Sequence, residues 1–345
     1  MRGGMRAAAV LAVAVMGLAA CGGASGSGGN SGKATLKVGL AYDIGGRGDK
    51  SFNDGAYAGL QKVESALDVQ VKDLSAKANE PASDKEERLR LLADSGYNPV
   101  VAVGFVYADP LKKVAAQYPK VKFGIIDGVV DAPNVTSLTF AEEQGSFLVG
   151  AAAALKSRTH SVGFVGGCKV PLIEKFDAGF AAGARAVRKD IKVQSKYLST
   201  PAQQCSGFND PAAGRTAAAG MYESGADVVF HAAGGSGGGV FQAAKAAKAL
   251  AIGVDSDQYV TADAAVRDVI LTSMLKRVDV AVFDFVKGAA DGKFQAGTQV
   301  FDLKRDGVGY ATSGGKVDDI SAQLDAFKQQ IVDGKITVPT TPSAS

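Results

Sequence analysis

The stretch running from Val38 to Gly59 occurs twice, and that doubling constrains the fold more than any other feature of the chain. A constant offset of 124 residues (38 to 162) carries Val38 and Gly39 onto Val162 and Gly163. The same shift carries Phe52, Gly55 and Gly59 onto Phe176, Gly179 and Gly183. Each copy reads as a short apolar run, a Gly-rich turn and a helix opening on F-x-x-G-x-x-x-G. Self-similarity at so long a period predicts two lobes of one design rather than a repeat array. If both helices begin at the mouth of a shared cleft, Phe52 and Phe176 face each other across it. Opposed aromatic rings suit a flat ligand.

From residue 36 onward, short β-branched runs alternate with longer helical patterns. Candidate strands are 36–42, 69–74, 100–105, 122–127 and 135–140, then 161–166, 193–198, 227–231, 251–255 and 269–274. Candidate helices include 53–66, 84–94, 142–155, 175–187, 215–223 and 240–250. This alternation predicts α/β architecture, two doubly wound parallel-sheet lobes joined by a hinge. The expected division is an N-terminal lobe over 36–156 and a C-terminal lobe over 157–278. Residues 279–336 supply a hinge-crossing helix, a strand near 299–303 and a final helix near 318–332, and 337–345 form a Pro/Ser/Thr-rich tail. Gly55, Gly59, Gly179 and Gly183 are expected to let each helix pack close to its sheet.

The first 21 residues read as a processing signal. Arg2 and Arg6 form the positive start and an apolar middle follows. Leu18-Ala19-Ala20-Cys21 resembles a bacterial lipobox, with Cys21 the lipidated residue. Residues 22–35 are a Gly/Ser-rich tether. The chain is therefore expected to be exported and held by lipid on the extracytoplasmic face of the cell membrane. Cys168 and Cys205 remain in the mature chain. A bridge between them is permitted there, and the sequence does not decide whether they meet. Formal charge is +3, without a like-charge block that would suit nucleic acid.

In open α/β sheets ligands bind beyond the carboxyl ends of the strands. Polar residues at those ends are Asp43, Asp127, Asp255 and Lys276, with Gly234 after the strand that ends at His231. Carboxylates there accept hydrogen bonds from hydroxyls and ring nitrogens, although any one Asp also makes a good helix cap. Phe52 is expected to stack on a ring and Asn53, both donor and acceptor, to read its edge; a helix-entrance staple and cap is the plainer alternative. The run of glycines at 234–239 lacks phosphate-loop spacing and suggests close backbone approach to a ligand. Two histidines exclude a multi-histidine metal site, and no nucleophile elbow or C-x-x-C pair is present. No cofactor is expected.

The motifs DIGGRGDKSFNDGAYAGL, FGIIDG, FAEEQGSFLVGAAAAL, VGFVGG, FDAGFAAGARAV, GADVVFHAAGGSGGGVFQAA, IGVDSDQ and LTSMLKRVDVAV occur in order. Together they resemble the basic membrane protein family, the lipoprotein substrate-binding subunits of ABC importers, across nearly all of the chain after residue 35. The resemblance implies a type I periplasmic-binding-protein fold that closes on its ligand, and an ABC permease as partner. It implies a purine nucleoside (adenosine, guanosine or inosine) as ligand and a monomeric receptor rather than an enzyme. On it, Asp43, Phe52, Asn53 and Asp127 take the base side, while Gly234, Asp255 and Lys276 hold the ribose; the repeat supplies Phe176 as second stacker. Arg47, Asp49 and Lys50 depart from the pattern as an unusually charged turn. Another planar ligand such as a flavin, an extracellular nucleoside-processing enzyme and a sensor lipoprotein are the alternatives.

Overall fold

The computed structural model describes residues 36–77 and 80–343. The signal, Cys21 and the tether lie outside the described residues. Among them, no helix is long and apolar enough to cross a membrane.

Among the described residues twelve strands form two six-stranded sheets, and the doubled sequence predicts the two-sheet arrangement. The first comprises β1 (Leu36–Ala41), β2 (Val69–Leu74), β3 (Val100–Val103), β4 (Phe123–Ile126), β5 (Val135–Phe140) and β11 (Gly297–Phe301), in the order β11-β5-β4-β3-β1-β2. The second comprises β6 (Ser161–Gly166), β7 (Lys192–Tyr197), β8 (Val228–Ala232), β9 (Leu250–Asp255), β10 (Ile270–Lys276) and β12 (Val308–Tyr310), in the order β12-β10-β9-β8-β6-β7. All pairings are parallel except β12 on β10. Central strands β3, β4, β6 and β8 are buried along their whole length. That is why they read as unbroken apolar runs, with helices on both faces.

The helices are α1 (Phe52–Ala66), α2 (Ala82–Asp94), α3 (Ala108–Gln117), α4 (Glu142–Lys156), α5 (Pro171–Val187), α6 (Pro211–Glu223) and α7 (Gly237–Ala247). The short α8 (Gln258–Thr261) and α9 (Ala264–Arg267) follow, then α10 (Val278–Ala290) and α11 (Ser321–Val332).

Three departures from the sequence reading bear on the site. First, α4, expected in the first lobe, packs on α5, β10 and β12 of the second, while α10 packs on α1 and β4 of the first. The chain thus changes lobes at residues 140–142, again at 276–278, and a third time between β11 and β12. Second, the repeated glycines serve these exchanged helices rather than the sheets. A Cβ on Gly59 would lie 2.7 Å from the Asp279 carbonyl oxygen of α10, and one on Gly183 would lie 1.9 Å from the Phe147 carbonyl oxygen of α4. Helix backbones approach that closely only where no side chain stands between them. Third, α5 begins at Pro171, a full turn before Phe176, because proline at the first helical position lacks only an N–H that would be unpaired anyway. The second copy of the repeat is therefore the longer helix, and its extra turn presents Leu172 and Ile173 to the cleft.

Cys168 and Cys205 are bonded, with Cα atoms 5.1 Å apart. The bridge ties the loop after β6 to the segment that carries Phe208.

Candidate functional site

The carboxyl ends of both sheets meet around one cavity, which with its mouth takes in about 520 Å³ of space partly open to solvent. Asp43, Phe52, Asn53 and Asp127 from the first lobe and Phe176, Gly234, Asp255 and Lys276 from the second all line it. The remaining walls come mostly from residues the sequence reading did not single out, Asp49 of the charged turn being the exception. Phe105 follows β3, Leu172 and Ile173 come from the first turn of α5, Phe208 sits beyond the disulfide, and Ile44 and Asp49 belong to the β1–α1 loop. Phe105 and Phe208 have no repeat partner to mark them, and only the chain path brings them here.

Asp127 and Asp255 occupy matching places. Asp127 directly follows the fourth strand of the first lobe, Asp255 ends the fourth strand of the second, and each has φ of +64°. Asp tolerates this left-handed backbone better than most residues, but it still costs about 1 kcal/mol or more. The bend turns each carboxyl toward the cleft.

Lys276 organises one end of the cavity. Its ammonium donates to Asp127 Oδ2 and lies 3.3 Å from Glu142 Oε1. It also sits 5.1, 5.0 and 5.6 Å from the ring centroids of Phe52, Phe140 and Phe176, within cation–π range of all three. Asp127, expected on the base side, therefore belongs with Lys276. Burial alone would lower the lysine pKa, yet Asp127, Glu142 and Asp255 outweigh it and hold the group above its ordinary value. Burial raises Asp127 and Asp255, with Lys276 opposing. Asp127 Oδ1 is buried and accepts no hydrogen bond from the protein. An acceptor left so costs about 1–3 kcal/mol, which a ligand hydroxyl would recover.

The other end is built from the β1–α1 loop. Asn53 Oδ1 accepts from the Asp43 backbone N–H at 3.0 Å, and Asn53 Nδ2 donates to Ile44 O and to Asp49 Oδ2. The amide expected to read a ligand's edge is thus spent largely on holding Asp43 in place. Asp43 Oδ1 accepts from the Ile44 N–H at 2.6 Å, while Oδ2 packs against Gly104, whose φ of +99° and missing Cβ make room for it. Burial pushes Asp43 up to about 7. Asp49 caps α1, accepting from the backbone N–H groups of Ser51, Asn53 and Asp54, so neither Asn53 nor Asp54 is the cap.

The charged turn reaches across the cleft. Ser51 Oγ donates to Asp255 Oδ2, and the Lys50 carbonyl accepts from Ser256 Oγ at 2.8 Å and Gln258 Nε2 at 3.1 Å. Arg47 turns away and stacks 3.5 Å over the Tyr57 ring. Of the glycines at 234–239, only Gly234 lines the cavity. A Cβ on Gly237 would meet the His231 ring at 2.0 Å and one on Gly239 the Pro211 carbonyl at 1.9 Å, so helix packing accounts for both.

Two parallel-sheet lobes crossed three times by the chain, with a polar and aromatic cavity between them, define a two-lobe solute-binding protein. The chain belongs to the Bmp family, matching the model described as ABC transporter substrate-binding protein PnrA-like over residues 36–342. It is 37% identical to the ABC transporter nucleoside-binding protein BmpA of Lactococcus lactis, covering 97% of this chain and 99% of that one. It is 38% identical to the CD4+ T-cell-stimulating antigen of Listeria innocua, covering 94% and 95%. A solute-binding protein of an ABC transporter system from Aeropyrum pernix superposes with a TM-score of 0.76 at 29% identity, covering 89% of this chain and 94% of that one. This is a substrate-binding protein of an ABC transporter, not an enzyme. It works with permease subunits and binds a small ligand.

Proposed function

We propose that this protein is a lipid-anchored extracytoplasmic receptor that delivers purine nucleosides to an ABC importer. The observation that carries the reading is the placing of Phe52 and Phe176 on one cavity whose polar groups fall into two clusters. The rings supply faces for a planar base. Asp43, held by Asn53, offers a carboxyl to the base edge. Asp127 Oδ1, Asp255 and Lys276 take the ribose hydroxyls, with Gly234 giving close backbone approach. The nucleoside-binding name of the Lactococcus relative supports the same ligand class.

Ligand contact with both lobes favours the closed arrangement, because only there are both sets of contacts made. Stacking supplies about 0.5–1.5 kcal/mol per aromatic pair beyond buried area. Specificity must therefore come from the buried hydrogen bonds, each costing about 1–3 kcal/mol if left unmade. Native mass spectrometry of freshly purified protein, followed by calorimetry with adenosine, guanosine and inosine, tests the proposal. A co-purifying purine nucleoside, or saturable one-to-one heat with at least one of the three, is expected. No binding to any of them would overturn the nucleoside assignment.

A further inference from the structure

A second space adjoins the cavity just described. Ile44 and Phe105 also line a second chamber, enclosing about 810 Å³ of space that opens to solvent. Its walls come from both lobes: Ala82, Lys85 and Val106 on one side, Pro201 and Gln204 on the other. Ile44 and Phe105 are the residues common to the two spaces, and both are only partly buried.

This threshold stands at the Asp43 end. Ile44 follows Asp43 and donates its N–H to Asp43 Oδ1, and Phe105 follows Gly104, against which Asp43 Oδ2 packs. The opposite end is closed, since Lys276, Asp127 and Glu142 are buried against one another and against Phe140. A ligand whose sugar meets Lys276 thus directs the far edge of its base toward Ile44 and Phe105, with the second chamber beyond them. The geometry points to a site that accepts nucleosides enlarged on the base edge facing Asp43, the class being those with an alkyl or aryl group on an exocyclic nitrogen. The chamber wall suits such a group, because apolar Pro81, Ala82, Val106 and Pro201 flank it, while the buried Lys85–Glu80 pair and the exposed Lys77 and Gln204 make up its polar part. The inference rests on the nucleoside reading and adds to it the direction in which the ligand can grow.

The test is calorimetry of the full-length protein in detergent with adenosine, N6-benzyladenosine and 5′-O-benzoyladenosine. N6-benzyladenosine is expected to bind within about threefold of adenosine, and the 5′ ester at least about a hundredfold more weakly, since it must enter the closed end. Retained adenosine binding with a loss of about thirtyfold or more for the N6-benzyl compound would overturn the inference and leave the nucleoside reading standing. Failure of unsubstituted adenosine, guanosine and inosine alike would overturn both. Ala82→Trp, which narrows the chamber at a residue that does not line the first cavity, should weaken N6-benzyladenosine about tenfold and leave adenosine unchanged. Unchanged N6-benzyladenosine affinity in that variant would place the substituent elsewhere and sink the inference.

Discussion

Lys276, the last residue of β10 in the second lobe, donates its ammonium proton to Asp127, the residue after β4 in the first. Both side chains are nearly inaccessible to solvent, and Glu142, at the point where the chain changes lobes, stands on the other side of the same ammonium. The pair thus links the lobes where the ligand is expected to lie. Taking both charges out of water costs about as much as their attraction returns, so the pair itself adds little stability. Removing one partner is a different matter, because the other charge stays buried and unpaired.

Lys276→Met would leave Asp127 and Asp255 without a cation, while Glu142 would keep only Lys175, 3.2 Å from its Oε2. The expected result is a loss of about 3–5 kcal/mol in denaturant unfolding. Restoring the charge with Lys276→Arg should recover part of it. A melting curve for Lys276→Met indistinguishable from the parent would show that the ammonium is not the cation that balances these acids.

Asp43 gives a pH signature. Its folded pKa of about 7 lies above the ordinary carboxyl value because burial disfavours the charge. The folded state therefore binds more protons than the unfolded one between about pH 4 and pH 7, and the burial penalty on stability grows as pH rises through that window. Asp43→Asn keeps an acceptor for the Ile44 N–H and removes the penalty. Its gain in melting temperature should be larger at pH 8 than at pH 5, while nucleoside affinity falls. A gain equal at both values would refute the assignment. His231, which burial lowers to about 4, has the opposite sign and costs stability as pH falls from about 6.5 to 4.

The exchanged helices predict a ranking among glycines. Gly183→Ala sets a methyl group against the Phe147 carbonyl, and Gly59→Ala sets one against the Asp279 carbonyl. Both should destabilise by about 1–3 kcal/mol or more, Gly183→Ala the more strongly. Gly220, inside α6 with open space around it, should gain about 0.5–1 kcal/mol on replacement by alanine. Urea midpoints would order the three, and a neutral Gly183→Ala would contradict the close helix approach.

Phe52→Ala and Phe176→Ala should each weaken a purine nucleoside by about tenfold or more, through lost stacking and burial. Asp255→Ala should harm nucleosides more than free bases, because its carboxylate is placed with the sugar. Comparing adenosine with adenine by calorimetry separates the two effects; equal losses for both ligands would remove Asp255 from the sugar side.

Ser51→Ala removes a hydrogen bond to a charged carboxylate across the cleft, an interaction worth about 1.5–3 kcal/mol. Ligand dissociation should speed up by about tenfold while the association rate changes little. Stopped-flow measurement showing an unaltered dissociation rate would mean that the Ser51–Asp255 bond does not hold the lobes together.

The doubled stretch, the alternation of strands and helices and the polar residues at strand ends were all legible in the sequence. Each depends on local pattern: doubly buried strands must be apolar throughout, and ligands meet a parallel sheet at its carboxyl ends. Those rules led to Asp43, Asp127, Asp255 and Lys276 without coordinates, and the repeat led to Phe52 and Phe176. What the tertiary structure alone decided was which groups meet. Asp127 pairs with Lys276 across the lobes, Asn53 is spent on Asp43, α4 and α10 change places, and Phe105 and Phe208 complete the walls. Contacts between segments far apart in the chain leave no periodicity to read. They arise from how helices and loops close over the sheets, and that closure is a property of the packed molecule.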